Sequence, residues 1–218
     1  MKKTLTIIPL LLTLLILVTV ESGFADDGKY VEAMKKNITT VYNAQSIEEL
    51  QVAVNAFERI GATEKTKWEP FYYAAFGNVM MATLEKEGAK KDQYLDLAMV
   101  AIEKIKAIAA EDSELVAMEG FVYMIRVTVD PAARGPQFAG LAMQAFGKAT
   151  ALNPENPRAL ALMAQMQYGT AQFFGSPTTE ACGTLTKALE KFETYKSENS
   201  LAPQWGKGMA EGLKQQCR

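Results

Sequence analysis

Hydrophobic residues recur at steps of three and four along nearly the whole chain, the spacing that places side chains on one face of an α-helix. No stretch alternates apolar and polar residues in the manner of a half-buried strand. The β-branched segment 121–129 continues a helical stripe rather than starting a strand. The pattern predicts an all-α protein. One of its clearest stripes consists of Leu160, Met163, Ala164, Gln167 and Tyr168.

Turn residues and helix caps divide this pattern into about nine helices. Asp130 and Pro131 are expected to end one helix, and Gly135 and Pro136 to open the next. The residues between these breaks, 130–137, are therefore predicted to form a loop.

A similar spacing of small and aromatic residues returns at intervals of roughly 45 residues, which is typical of stacked helical hairpins. The predicted hairpins cover residues 66–110, 113–153 and 156–198. A capping helix at 204–217 follows them. No linker interrupts the series, so we expect residues 26–218 to form a single domain.

The stretch that contains Ala142, Phe146, Ala149 and Pro154 resembles a tetratricopeptide repeat, with its alanine, aromatic, alanine and closing proline. The preceding segment EGFVY is similar to the first-helix signature of the same repeat. The resemblance implies a solenoid of antiparallel hairpins, in which small residues let two helices approach and the aromatic ring fills the space beside them. The segments NPENPRAL and QFFGSP also resemble exported helical-repeat proteins of Bacteroidetes-type bacteria. That resemblance implies a periplasmic location and no particular activity.

The chain begins with two lysines, an apolar run and small residues before a potential cleavage site, which is the pattern of a secretory signal peptide. We expect cleavage after Ala25, so that residues 1–25 are removed and the mature protein is periplasmic or secreted. An uncleaved membrane anchor is the alternative. It is disfavoured because the run is shorter than the ~20 residues of a bilayer span and contains Pro9. We expect no membrane span in the mature chain.

The two cysteines, Cys182 and Cys217, are candidates for a disulfide, because exported proteins mature in oxidising surroundings. The alternative is a pair of buried thiols, since Cys182 shares an apolar stripe with Leu185 and Leu189.

The composition argues against several classes of function. The formal net charge is −2 and no basic block occurs, so we expect no nucleic-acid partner. The chain has no histidine, which removes Ser–His and Cys–His catalysis and imidazole metal ligands. No serine-hydrolase elbow occurs, and Gly140 is wrongly spaced from Gly147 and Lys148 for a phosphate-binding loop. We therefore predict no enzymatic activity, no cofactor and no metal.

Three features have both a structural and a functional interpretation. The carboxylates of Glu111, Asp112 and Glu114 fit a helix start better than a calcium or acid–base site. The predicted loop either turns the chain or presents Arg134 on a functional rim. Methionines usually fill gaps in helical cores, but they also leave open a soft binding groove. The methionines concerned are Met118, Met124, Met143, Met163 and Met166.

In the family that the chain resembles, the first helix of each hairpin lines a concave binding surface. Such a surface of aromatic and amide side chains suits an extended peptide or a partner helix. The sequence therefore predicts a non-catalytic protein–protein interaction scaffold whose partner is another protein or peptide. The residues that the resemblance places on this surface are Phe121, Met124, Arg126, Gln165, Tyr168 and Gln172.

The alternative is a periplasmic carrier or capture subunit for a small ligand. A carrier requires a partly enclosed apolar pocket with a few polar groups. The candidate position lies between the third hairpin and the tail helix, near Phe173, Phe174 and Trp205. Binding of a small ligand without any protein partner would favour the carrier.

Overall fold

The computed structural model describes residues 21–217, and within that range it contains nine α-helices and no strand. The predicted all-α fold is confirmed. Among the described residues, no helix is both long enough and apolar enough to cross a membrane. The helices are α1 Glu21–Asn43, α2 Ile47–Thr63, α3 Glu69–Leu84, α4 Gly88–Lys106, α5 Ser113–Val127, α6 Pro131–Leu152, α7 Pro157–Phe174, α8 Thr179–Thr194 and α9 Lys207–Lys214.

The structure describes only the end of the predicted signal segment 1–25. Residues 1–20 of the predicted signal segment lie outside the described residues, and α1 begins at Glu21. Cleavage after Ala25 stays a prediction.

The helices pack as successive antiparallel hairpins, α1 with α2, α3 with α4, α5 with α6 and α7 with α8. Helix α3 lies at the centre and is buried along most of its length. Apolar residues from α1 to α7 form one continuous cluster. A smaller cluster joins α7, α8 and the short helix α9. This stacking is the predicted solenoid of hairpins.

The start of α6 differs from the prediction. The helix begins at Pro131, because the Asp130 side chain accepts a hydrogen bond from the backbone N–H of Ala133 (3.1 Å) and proline fits a first turn. Pro136 lies inside this helix rather than at its start. The predicted loop is therefore wrong, and the connection between α5 and α6 is only 128–130.

Gly120 and Phe146, which belong to the repeat-like pattern, lie where α5 and α6 cross closely. A Cβ atom added to Gly120 of α5 would lie 2.5 Å from the ring of Phe146 on α6, so any larger residue would force the ring or the helices to shift. Phe146 itself is fully buried. At this crossing a small residue faces an aromatic ring, as the repeat-like pattern predicts.

Asn156 begins α7 as predicted and also ties three helices together. Its side-chain oxygen accepts hydrogen bonds from the backbone N–H groups of Arg158 (3.0 Å) and Ala159 (3.2 Å). Its amide donates to the Ser113 hydroxyl of α5 (2.9 Å), which donates to the carbonyl of Ala149 on α6 (2.7 Å). The hairpins α5–α6 and α7–α8 are thereby fixed relative to each other.

Asp112 confirms the interpretation of the acidic segment as a helix start. Its side chain accepts a hydrogen bond from the backbone N–H of Leu115 (2.8 Å) and so caps α5. Glu111 forms an exposed ion pair with Lys148 of α6. The third carboxylate, Glu114, points into the protein.

The segment between α8 and α9 returns across the molecule to the first helices of the hairpins. We call residues 199–206 the strap. The hydroxyl of Tyr73 on α3 donates to the carbonyl of Leu201 (2.8 Å). The backbone N–H of Gln204 donates to the hydroxyl oxygen of Tyr42 on α1 (3.1 Å).

Trp205 of the strap is buried in an aromatic stack. Its ring centroid lies 5.0 Å from that of Phe76 on α3 and 5.6 Å from that of Phe121 on α5.

A buried polar network holds the strap. The indole N–H of Trp205 donates to the Tyr72 hydroxyl (3.1 Å), which donates to the Glu114 carboxylate (3.2 Å). Glu114 also accepts hydrogen bonds from Nε and Nη2 of Arg158 at 2.6 to 3.0 Å. The Arg158 side chain has no solvent exposure, and its guanidinium lies 4.3 Å from the centroid of the Tyr195 ring.

Arg158 and Tyr72 both keep their protons beside Glu114. Burial alone would lower the pKa of Arg158, but the hydrogen bonds and charge of Glu114 raise it, so the guanidinium stays protonated. Burial and the charge of Glu114 raise the pKa of Tyr72 well above its ordinary value. Tyr72 therefore keeps the proton that it donates to Glu114.

A disulfide joins Cys182 of α8 to Cys217, just after α9, with their Cα atoms 5.6 Å apart. The predicted bond is confirmed. It closes a loop across a sequence separation of 35 residues, which corresponds to about 4 kcal/mol of stabilisation in the chain-entropy description. The strap lies within this loop, between α8 and α9.

We predict that Arg158→Ala lowers the free energy of unfolding by about 3–5 kcal/mol, because Glu114 would remain partly buried without its partner. The measurement is urea denaturation followed by circular dichroism. The matched control is Lys191→Ala, which breaks the exposed ion pair with Glu155 and should cost at most about 1 kcal/mol. An equal, small loss in both variants would contradict the structural role assigned to Arg158.

Candidate ligand-binding groove

A cavity of about 820 Å³ opens between the C-terminal end of α5, the N-terminal half of α6 and the C-terminal half of α7. This volume falls within the roughly 300–1,000 Å³ of small-molecule sites. We call it the groove. Helices α6 and α7 pack closely at their other ends, through Ala149 and Ala159, and the groove occupies the space where they separate.

The α6 wall of the groove consists of small residues at helical spacing. They are Ala132, Gly135, Pro136, Ala139 and Gly140. A Cβ atom added to either glycine would meet no atom within 4 Å, so packing within the protein does not require glycine there. Glycine inside a helix costs about 1 kcal/mol relative to alanine. The small residues leave the helix backbone of this wall open to the groove.

The floor of the groove is apolar. Met124 and Met166 are each 6% exposed, and Ile125 is 8% exposed. Thr128, Gln165 and Thr170 add a few hydrogen-bonding groups. Of the lining residues, all of which belong to the described part of the chain, none carries a charge. The part of a ligand that enters this groove must therefore be predominantly apolar.

Two phenylalanines form the lip of the groove on α7. Phe173 is 60% exposed and Phe174 is 72% exposed. Their rings contact each other edge to face, with centroids 5.1 Å apart. Helix α7 ends directly after them, at Gly175 in the left-handed conformation (φ 65°). Adjacent exposed aromatic rings beside an apolar cavity are typical of an interaction site.

The charged residues near the groove lie behind its α6 wall. Asp92 of α4 accepts two hydrogen bonds from the guanidinium of Arg134, at 2.6 and 2.7 Å. Arg126 of α5 donates to Asp92 (3.2 Å) and to Asp96 (2.5 Å). The hydrogen bonds from Arg134 lower the pKa of Asp92, so its carboxylate stays ionised at neutral pH. This cluster joins α4, α5 and the first turn of α6.

The six residues predicted on the concave face do not form one open surface. Phe121 is only 1% exposed, because Trp205 of the strap stacks on it. The protein's own strap thus occupies the face that the first helices present. The expectation that Phe121 is available to a partner is corrected by this contact.

The other five predicted residues separate into three groups. Met124 and Gln165 lie in the groove. Arg126 is bound to carboxylates of α4. Gln172 donates to the hydroxyl of Tyr168 (3.2 Å), which in turn donates to the carbonyl of residue 216 (3.4 Å), so this pair lies against the C-terminal segment.

Two of the three residues predicted near a carrier pocket lie at the groove. Phe173 and Phe174 line the groove, whereas Trp205 lies outside it in the strap. The sequence does not predict Gly135 and Gly140 as groove residues, because Gly135 falls in the predicted loop 130–137 and Gly140 is considered only as part of a phosphate-binding loop. The available signal was the helical spacing of small residues from position 132 to 140.

No protein-family model matches the chain, and no curated protein matches it. Among solved structures, it is similar to the HusA haemophore from Porphyromonas gingivalis, with a TM-score of 0.78 and 24% sequence identity. The likeness covers 87% of this chain and 92% of that chain. It shows a shared fold.

That neighbour is a helical protein from a Bacteroidetes species, which agrees with the general resemblance inferred from the sequence. Membership of the tetratricopeptide-repeat family is not confirmed.

We predict that the double substitution Phe173→Ser/Phe174→Ser weakens binding of the dye anilinonaphthalene sulfonate roughly thirtyfold, since each ring contributes about 1 kcal/mol to dye binding by burial of apolar surface. Unfolding free energy should change by no more than about 0.5 kcal/mol per site, because both rings are exposed. Dye fluorescence and urea denaturation provide the two measurements. Leu97→Ser, at an exposed position of α4 outside the groove, is the control and should leave dye binding unchanged; an equal loss in the control would contradict the assignment.

Proposed function

We propose that this protein is a non-catalytic carrier that captures a small, flat and largely apolar ligand in the groove, and that the ligand is a tetrapyrrole such as haem. The observation that carries the proposal is the uncharged groove itself, with one wall of small residues and an aromatic lip. The haemophore with the same fold supports the choice of ligand class.

The shape of the groove suits a planar ring system. A flat ligand can lie against the backbone along Gly135 and Gly140, where no side chain intervenes, and cover Met124 and Met166 on the floor. Contact with Phe173 and Phe174 would remove two exposed rings from water. Burial of this apolar surface provides the driving force for binding.

The ring system, rather than the iron, dominates recognition in this proposal. Haem iron in proteins is commonly held by His, Cys, Met or Tyr. The chain contains no histidine, and among the described lining residues the only donors of these types are the thioethers of Met124 and Met166. We therefore expect iron-free protoporphyrin to bind with an affinity similar to that of haem.

A carrier outside the cytoplasm is also part of the proposal. The Cys182–Cys217 disulfide supports maturation in an oxidising compartment, and the haemophore neighbour supports a periplasmic or extracellular location. The N-terminal signal peptide, with cleavage after Ala25, would direct the chain there.

The carrier is preferred to the interaction scaffold because the strap covers the face on which a scaffold would bind its partner. Phe121, the aromatic anchor proposed for that face, is stacked against Trp205. Ligand capture in the groove requires no movement of the strap.

We predict that Gly140→Leu weakens protoporphyrin binding at least about tenfold, equivalent to about 1.4 kcal/mol, because the new side chain fills the groove. Gly169→Leu on α7, where an added Cβ also meets no atom within 4 Å, should act in the same direction. Gly147→Leu is the matched control, since it is exposed on the same helix outside the groove. All three substitutions remove a helical glycine, so none should destabilise the fold. Absorbance titration measures the affinity.

Two results would contradict this proposal. Unchanged affinity in Gly140→Leu and Gly169→Leu would place any ligand outside the groove. Haem binding without protoporphyrin binding would show that iron coordination, and not the ring system, is recognised.

A further inference from the structure

The first turn of α6 forms one end of the groove wall, yet it has few attachments to the protein. None of residues 131–141 is buried. Pro136 lacks a backbone N–H, so the i→i−4 hydrogen bond to the carbonyl of Ala132 is missing. The helix is therefore weakest between its first turn, which carries part of the wall, and the remainder of α6.

The ion pair with Asp92 is the main polar attachment of this turn. Arg134 binds the carboxylate through both terminal nitrogens, at 2.6 and 2.7 Å, and such two-point pairs fix geometry better than single contacts. Arg126 holds the same carboxylate from α5 (3.2 Å). One turn further along, Phe138 packs against Tyr123, with ring centroids 6.3 Å apart.

The direction of this attachment follows from helix geometry. At about 100° per residue, Arg134 lies roughly 200° around α6 from Ala132, so it faces away from the groove and towards α4. The ion pair holds the first turn back from α7, which forms the opposite side of the groove. The separation of the two walls therefore depends on this contact.

We propose that Arg134 and Asp92 are positioning residues that fix the width of the groove and thereby its preference for flat ligands. The inference rests on the proposed carrier function, which it deepens by assigning selectivity to a contact outside the cavity. Neither side chain touches the ligand. When their ion pair is broken, the first turn is free to move about Gly135 and Pro136, and the wall no longer matches the thickness of a planar ring.

The first test uses the full chain without ligand. In Arg134→Gln, exchange of the helical backbone amides of residues 134, 135, 137 and 138 should accelerate roughly tenfold, equivalent to about 1.4 kcal/mol, as measured by hydrogen exchange with mass spectrometry. Lys148→Gln is the matched control, because it breaks an ion pair with Glu111 at the other end of α6. It should leave exchange in this turn unchanged. Unchanged exchange in Arg134→Gln would overturn the inference whatever the ligand is.

The second test measures selectivity by stopped-flow kinetics with protoporphyrin as the flat probe and anilinonaphthalene sulfonate as a twisted one. Arg134→Gln should release protoporphyrin about fivefold to tenfold faster, while the dye is released at nearly the parent rate. Asp92→Asn should accelerate protoporphyrin release to a similar extent, and the double variant Asp92→Asn/Arg134→Gln should release it no faster than either single variant, because each change breaks the same ion pair. Equal acceleration for both probes, or additive acceleration in the double variant, would overturn the assignment.

The two proposals can fail separately. If the parent chain does not bind protoporphyrin, the tetrapyrrole proposal fails, whereas the hydrogen-exchange result still decides whether Arg134 and Asp92 position the wall.

Discussion

The buried ion pair between Arg158 and Glu114 is the interaction on which the arrangement of the helices depends. A fully buried guanidinium is tolerated only with a charged partner, and the partner comes from a neighbouring hairpin. The same carboxylate accepts the hydrogen bond of Tyr72, which in turn accepts that of Trp205. One charge pair thus joins α5, α7, the central helix α3 and the strap.

The position of the strap decides where the molecule can bind a ligand. With Trp205 inserted between aromatic rings of α3 and α5, the face made by the first helices is filled from within. The disulfide between Cys182 and Cys217 closes the loop that contains most of α8, the strap and α9. A large concavity, the groove, lies at the side, where α6 and α7 separate and small residues line one wall.

Most of the fold could be predicted from local features of the sequence. Helical periodicity, the cap at Asn156 and the close approach of Gly120 to an aromatic ring are encoded within a few residues of one another. The strap could not be predicted in this way, because Trp205 meets Tyr72 across 133 residues of chain. The α6 wall could not be predicted for a different reason. Pro136 resembles the first residue of a helix, but the helix begins one turn earlier because Asp130 caps it.

The central claim is that a flat apolar ligand enters the groove and leaves the strap in place. The most direct measurement is a titration of isotope-labelled protein with protoporphyrin, followed by amide and indole resonances in two-dimensional NMR. The account predicts that the amides of Gly135, Gly140 and Gly169 shift or broaden, while the indole N–H of Trp205 keeps its resonance. Perturbation centred on Trp205 and Leu201, with the groove glycines unaffected, would contradict it and place the binding site under the strap.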